Sequence, residues 1–308
     1  MFSVIFPGQG SQVIGMGKNF YDKFDLVKKL FKEADDVLGI PLSRIISEGP
    51  KEELDLTSNT QPAIFLISYC IFQVVKKEFD INLNKAKYFA GHSLGEYSAL
   101  VAANSISITE ALKLVRKRGE LMESAPNGSM SAIMGLDNNV ISEICLIASH
   151  GDNSHVQCAN LNSPNQTVIS GHDDAVTRAQ DLCITKGAKR AIKLKVSIAS
   201  HSKLMLSAAD EFKKTLESIT FKMPDINIIH NVSVNSSSSS KDISSLLVSQ
   251  LHSPVRWVET CNFISKLNLP IIECGPGKVL SGLFNGNKLE NYFSVCDEEF
   301  YEKINNYG

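Results

Sequence analysis

Tyr88-Phe89-Ala90-Gly91-His92-Ser93-Leu94-Gly95-Glu96-Tyr97-Ser98-Ala99-Leu100 is the stretch that decides the fold. Its first residues read as the end of a buried strand, and the small residues from Leu94 to Ala103 read as a tightly packed helix. Between them lies Gly-x-Ser-x-Gly. The glycines allow a sharp strand-to-helix bend, and the bend thrusts a serine out at the helix N-terminus. Free N–H groups and the helix dipole favour developing negative charge there. Ser93 is therefore the candidate nucleophile, and the N–H of Leu94 a candidate oxyanion donor. Without catalysis, the same five residues are a glycine-rich turn with an idle serine; the strand–turn–helix setting favours the catalytic reading.

Outward from the bend, the chain opens on an apolar strand, Phe2 to Phe6, followed by Pro7-Gly8-Gln9-Gly10-Ser11-Gln12. This turn is no dinucleotide fingerprint, because Val13 stands where the third glycine belongs. Nor is it a P-loop, since Met16 and Gly17 replace the Lys-Ser/Thr pair. A backbone N–H at Gln9, acting as second oxyanion donor, fits better. Helical patterns cover about residues 21–38, 62–79, 109–124 and 202–219, with Pro62 placed in a first turn. Another helix ends near Leu251 after Asn235 and a flexible run of serines, Ser236 to Ser240, and strands are predicted at 226–230 and 270–273. Alternating strands and helices imply an α/β class with a parallel sheet covered on both faces. The middle differs. Strands at 130–136, 156–160, 166–170 and 188–196, with helices at 140–149 and 174–185, spell β-α-β-β-α-β, the ferredoxin-like unit. The expected division is a core of residues 1–126 and 197–308 with an inserted subdomain, 127–196.

A serine nucleophile needs a base. Of the seven histidines, His92 adjoins Ser93 but points away, while His150, His155 and His172 fall in or beside polar loops of the subdomain. His201, His230 and His252 remain. His201 leads them, because Ala199-Ser200-His201-Ser202 follows an apolar strand and opens a helix, a junction like that of Ser93. Its plainer role is a capping or core histidine. On the helix from Ala111 to Glu123, Ala111, Leu114, Val115, Leu121 and Met122 form one stripe, and Arg118 falls in its middle, whereas Arg116 and Lys117 face water. An inward guanidinium is costly unless an anion meets it. That anion is either a protein carboxylate or, beside an acyl site, the carboxylate of a substrate.

Bulk properties narrow the field. With 308 residues, 43% hydrophobic and 21% charged, the chain is of ordinary globular composition. A net charge of −2 gives no global pull toward nucleic acid or an acidic membrane. No basic stretch precedes the apolar start, so no export signal is read. The longest apolar stretch, residues 63–75, is too short to span a bilayer and is interrupted by Ser68 and Gln73. Seven cysteines without a CxxC pair fit neither a disulfide framework nor a zinc site; a reducing cytoplasm is the expected setting, and no metal is expected. No heptad pattern is evident, so a monomer is expected.

The segments Phe6-Pro7-Gly8-Gln9-Gly10-Ser11-Gln12, Thr60-Gln61-Pro62-Ala63, Gly91 to Leu100, Arg118-Gly119, Asn162-Ser163-Pro164, Ser200-His201, Gln250-Leu251 and Gly275-Pro276-Gly277-Lys278 occur in this order. Together they resemble the malonyl-CoA:acyl carrier protein transacylases of bacterial-type fatty acid synthesis, over nearly the whole chain. The resemblance implies a hydrolase-like α/β core with a ferredoxin-like insertion. It implies that Ser93 carries malonyl, that His201 is base and then acid, and that Arg118 holds the malonyl carboxylate. The same resemblance implies that the N–H groups of Gln9 and Leu94 form the oxyanion hole and that Gln250 lies in the site and helps order it around His201. No acidic third member is implied. Malonyl-CoA and acyl carrier protein are the implied partners, with no cofactor. One departure concerns the acyl group. Related polyketide acyltransferases that choose malonyl carry His-Ala-Phe-His at the base, and methylmalonyl-selective ones carry Tyr-Ala-Ser-His. Ile198-Ala199-Ser200-His201 is closer to the second, but discrete fatty-acid transacylases also carry small residues there, so malonyl is retained.

The alternatives are a methylmalonyl-preferring polyketide acyltransferase, a serine thioesterase or hydrolase, and a non-catalytic carrier-binding protein. The segment 186–195, with Lys186, Lys189, Arg190, Lys193 and Lys195, reads as a solvated strand face, or else as a dock for the acidic carrier.

Overall fold

Nine strands appear among the described residues: β1 (Ser3–Phe6), β2 (Tyr88–Gly91), β3 (Ser129–Met134), β4 (Val156–Ser163), β5 (Gln166–Gly171), β6 (Arg190–Lys193), β7 (Ile228–Ile229), β8 (Ile271–Glu273) and β9 (Tyr292–Ser294). The chain is seen as a computed structural model that describes residues 1–79, 81–237, 239–297 and 300. Ser238 of the serine run and residues 301–308 of the expected core lie outside the described residues.

Five strands form one sheet in the order β7-β2-β1-β8-β9, with every pairing parallel. Alternate residues explain why both faces are covered. Val4 and Phe6 join Phe89, Ile228 and Ile272 in one apolar cluster, while Ile5 joins Ala90, Ile229 and Ile271 in another. A strand buried on both faces needs an unbroken apolar run, and Val4-Ile5-Phe6 supplies it. This is the α/β core that the alternating pattern predicts. The remaining four strands form an antiparallel sheet, β4-β5-β3-β6, the ferredoxin-like order. Helices Asn138–Ala148 and Asp173–Thr185 cover one face of it through Ile141, Ile144, Val176 and Ala179. Where the chain passes between the two sheets, Asn127 and Ile198 form an antiparallel bridge.

Several boundaries differ from the sequence reading. The helix expected to start at Pro62 runs from Thr57 to Glu78, so Pro62 lies inside it. Proline cannot donate to the carbonyl one turn back. That carbonyl, Ser58 O, accepts instead from Arg116 Nη1 at 3.0 Å, so Arg116 does not simply face water. The helical stretch 21–38 breaks at Phe24 into Lys18–Lys23 and Asp25–Leu38. Residues 202–219 divide into a 3₁₀ turn, Lys203–Met205, and a helix, Leu206–Glu217. β6 ends at Lys193, so Lys195 lies beyond it, and Lys193 is paired with Asp173. β9 and the helices Trp257–Ser265 and Val279–Phe284 were not read from the sequence. Among the described residues no helix is long and apolar enough to cross a membrane, and no group of His, Cys, Asp and Glu is arranged to hold a metal ion.

Candidate active site

The chain leaves β1, β2 and β7 at their carboxyl ends, the edge where open parallel sheets place ligands. The end of β1 leads to Gln9, that of β2 to Ser93, and that of β7 to His230 and Asn231. Glycine is what lets these ends meet. A Cβ on Gly91 would stand 1.9 Å from the carbonyl carbon of Gly95, and one on Gly95 would stand 2.1 Å from Phe6 O. A Cβ on Gly8 would meet His92 O at 2.3 Å, so the loop carrying Gln9 lies directly on the nucleophile turn. Ser93 takes the left-handed backbone region, with φ 50°, as a bend this sharp requires. The helix Gly95–Ala102 then starts behind it.

The structure brings the sequence-predicted residues together around Ser93. Its Oγ lies 2.8 Å from His201 Nε2. His201 Nδ1 donates to the backbone carbonyl of Gln250 at 2.7 Å, which fixes the tautomer and leaves Nε2 to accept from the serine. No carboxylate takes this place, as in a Ser-His pair oriented by the main chain. Burial, reinforced by the positive charge of Arg118, lowers the His201 pKa from 6.5 to about 3, so the imidazole is neutral at physiological pH. Arg118 is only 1% exposed. Its Nη2 donates to Ser93 Oγ at 3.2 Å and to Gln250 Oε1 at 3.1 Å, and its guanidinium stands 5.5 Å from the Tyr97 ring. Among the described residues Arg118 has no ion pair, and its buried Nε has no hydrogen-bond partner.

The candidate oxyanion donors, the N–H groups of Leu94 and Gln9, differ from that of Ser93. Ser93 N is already taken, donating to Asn231 Oδ1 at 2.7 Å, whereas the N–H groups of Leu94 and Gln9 have no protein acceptor among the described residues. His92 does point away: Nε2 meets Asn162 Oδ1 at 2.9 Å and the ring packs on Trp257. Both ring nitrogens of His230 are engaged away from the serine hydroxyl: Nδ1 lies 2.6 Å from Glu96 Oε1 and Nε2 2.5 Å from Ser237 Oγ. His252 contributes a backbone carbonyl, which accepts from Gln157 Nε2 at 3.1 Å.

Three residues escaped the sequence reading. Asn231 clasps the turn, accepting from Ser93 N and donating to Gly91 O at 2.6 Å. Glu96 is buried beneath Gln250, and Gln157 of β4 donates to His201 O at 2.9 Å. Glu96 carried a signal, a lone carboxylate in an otherwise apolar helix; Asn231 and Gln157 carried none.

A hydroxyl bonded to a neutral imidazole, beside a buried guanidinium with no ion pair among the described residues, is the arrangement of an α/β enzyme equipped to form an acyl-serine. Residues 3–280 match the acyl transferase domain family, and the chain belongs to that family. It is similar to the malonyl CoA-acyl carrier protein transacylase of Bacillus subtilis, 45% identical over 303 residues that cover 97% of this chain and 94% of that protein. An acyl carrier protein S-malonyltransferase structure from Vibrio cholerae superposes with a TM-score of 0.93 at 42% identity, covering 98% of this chain and 99% of that one. A malonyl-transacylase solved in complex with its type II polyketide acyl-carrier protein gives a TM-score of 0.94 at 40% identity, over 100% of this chain and 99% of the other.

Proposed function

We propose that the protein is a malonyl-CoA:acyl carrier protein S-malonyltransferase of fatty acid biosynthesis, working through a malonyl-serine. His201 Nε2 takes the proton of Ser93 as Oγ attacks the malonyl thioester carbonyl. The N–H groups of Leu94 and Gln9 receive the oxyanion. As the tetrahedral adduct collapses, the C–S bond breaks and His201 returns the proton to the coenzyme A thiolate. The phosphopantetheine thiol of the carrier then attacks the ester by the same steps in reverse, with His201 taking the thiol proton and giving it back to Ser93. Exchange of one thioester for another is nearly isoenergetic, so no metal or nucleotide is called for. The names of the relatives support both substrates.

One observation carries this reading: a guanidinium 1% exposed, 3.2 Å from the serine hydroxyl, with an unpaired buried Nε and no carboxylate within ion-pair distance among the described residues. A buried unpaired cation is costly, and the free carboxylate of malonyl answers it with charge-assisted bonds. Changing Arg118 to Ala should lower malonyl transfer by about a hundredfold and raise relative use of acetyl-CoA, followed as acyl carrier protein product. A thioesterase for neutral esters would be indifferent to this change. A cytoplasmic monomer, with a core of residues 1–126 and 197–308 around a subdomain of 127–196, completes the proposal; the bridge between Asn127 and Ile198 supports those boundaries.

A further inference from the structure

The helix behind Ser93 is buried along its whole length, and it carries one carboxylate, Glu96, 1% exposed. Three donors converge on it. His230 Nδ1 reaches Oε1 at 2.6 Å, while Asn231 N and Gln250 Nε2 reach Oε2 at 3.1 and 2.7 Å. Behind His230, Nε2 meets Ser237 Oγ at 2.5 Å. The two residues that Glu96 holds on Oε2 are the two that clasp the main chain of the nucleophile: Asn231 Oδ1 accepts from Ser93 N, and Gln250 Nε2 donates to Ser93 O at 3.1 Å.

The amide of Gln250 has two possible orientations, and only one suits its surroundings. As placed, Oε1 accepts from Arg118 Nη2, and Nε2 donates to Glu96 and to Ser93 O. Turned over, the NH₂ would face the guanidinium, donor against donor, and the oxygen would face a carboxylate and a carbonyl. A charged acceptor makes the correct orientation much the stronger one. We propose that Glu96, backed by His230, is a positioning residue that locks the Gln250 amide and so aims Arg118 at the carboxylate of the acyl group. This rests on the malonyl-transfer reading above. Glu96 touches no reacting atom. Its effect falls on which acyl group is accepted, whereas a carboxylate serving the fold alone would change stability and leave that choice as it was.

The test is the ratio of malonyl to acetyl loading on the serine, measured by intact mass with malonyl-CoA and acetyl-CoA, in the full-length protein and in E96Q, H230N, H230L and R118A. E96Q weakens the lock, and the ratio should fall about tenfold or more. H230L removes the donor behind Glu96 and should also lower the ratio, while H230N, whose amide nitrogen replaces Nδ1, should keep it near wild type. If E96Q does not fold, H230L against H230N decides the matter. A folded E96Q with the wild-type ratio, or H230L and H230N alike, overturns the proposal. R118A separates the two levels: a wild-type ratio there sinks the malonyl reading itself, whereas a lost ratio in R118A with an intact one in E96Q sinks only the role of Glu96.

Discussion

Ser93 and His201 meet at 2.8 Å, both with positive φ, 50° and 58°, yet they are placed in different ways. The bend at Ser93 is shaped by its own neighbourhood, and Asn231 and Gln250 then clasp its main chain from far along the sequence. Gly91 and Gly95 let strand and helix close on Ser93. His201 is held from far along the chain: its N donates to Leu251 O at 3.0 Å, its Nδ1 to Gln250 O, and its own carbonyl accepts from Gln157 in the antiparallel sheet. The bend that presents the nucleophile is written in local glycine spacing, whereas the base is placed by tertiary assembly alone.

That contrast can be broken or sharpened by mutation. The largest effect should follow Gly95→Ala, because the new Cβ would stand 2.1 Å from Phe6 O. We expect a loss of about 3 kcal/mol or more in urea unfolding, with no active protein recovered. His201→Ala should leave the bend and the melting temperature nearly intact, but slow acylation by about 10²- to 10⁴-fold in single-turnover kinetics. Gln157→Leu probes the distant support. Losing its donors to the His201 and His252 carbonyls should lower kcat by about tenfold with little change in KM for malonyl-CoA. An unchanged kcat would show that the antiparallel sheet does not hold the base.

The smallest effect is a shift in a pH profile. A neutral imidazole can accept the serine proton, and His201 protonates only as pH falls toward about 3. The acid limb of kcat/KM for acylation should therefore lie well below the ordinary histidine value of 6.5. Arg118 is the second cause of that depression after burial, so in Arg118→Ala the limb should move to higher pH. The same group gives stability a matching slope. Between 6.5 and about 3 the unfolded chain binds a proton that the folded chain does not, so stability falls as pH drops through this window.

The contrast also explains what the sequence could tell. Ser93, Leu94 and the turn at Gln9 are legible because short-range sterics write them into glycine spacing. Arg118 is legible because helix periodicity shows a charge on an oily stripe, and the buried side of the helix Ile108–Ser124 does follow that stripe from Ala111 to Met122. His201 could only be ranked above His230 and His252, since nothing near it in sequence records Gln250 or Gln157. Pro62 misled because proline marks a first turn only when no outside donor satisfies the carbonyl behind it, and here Arg116 does. β9, of three residues, is too short to show a period, and β7, read at 226–230, shrinks to Ile228–Ile229.

The central claim is that the hydroxyl of Ser93, activated by the imidazole beside it, takes the malonyl group. Intact mass spectrometry after mixing with malonyl-CoA, before any carrier protein is added, tests it most directly. The account predicts one malonyl adduct on the wild type and none on Ser93→Ala. An adduct that persists on Ser93→Ala, or a wild type that never acquires one, would contradict it.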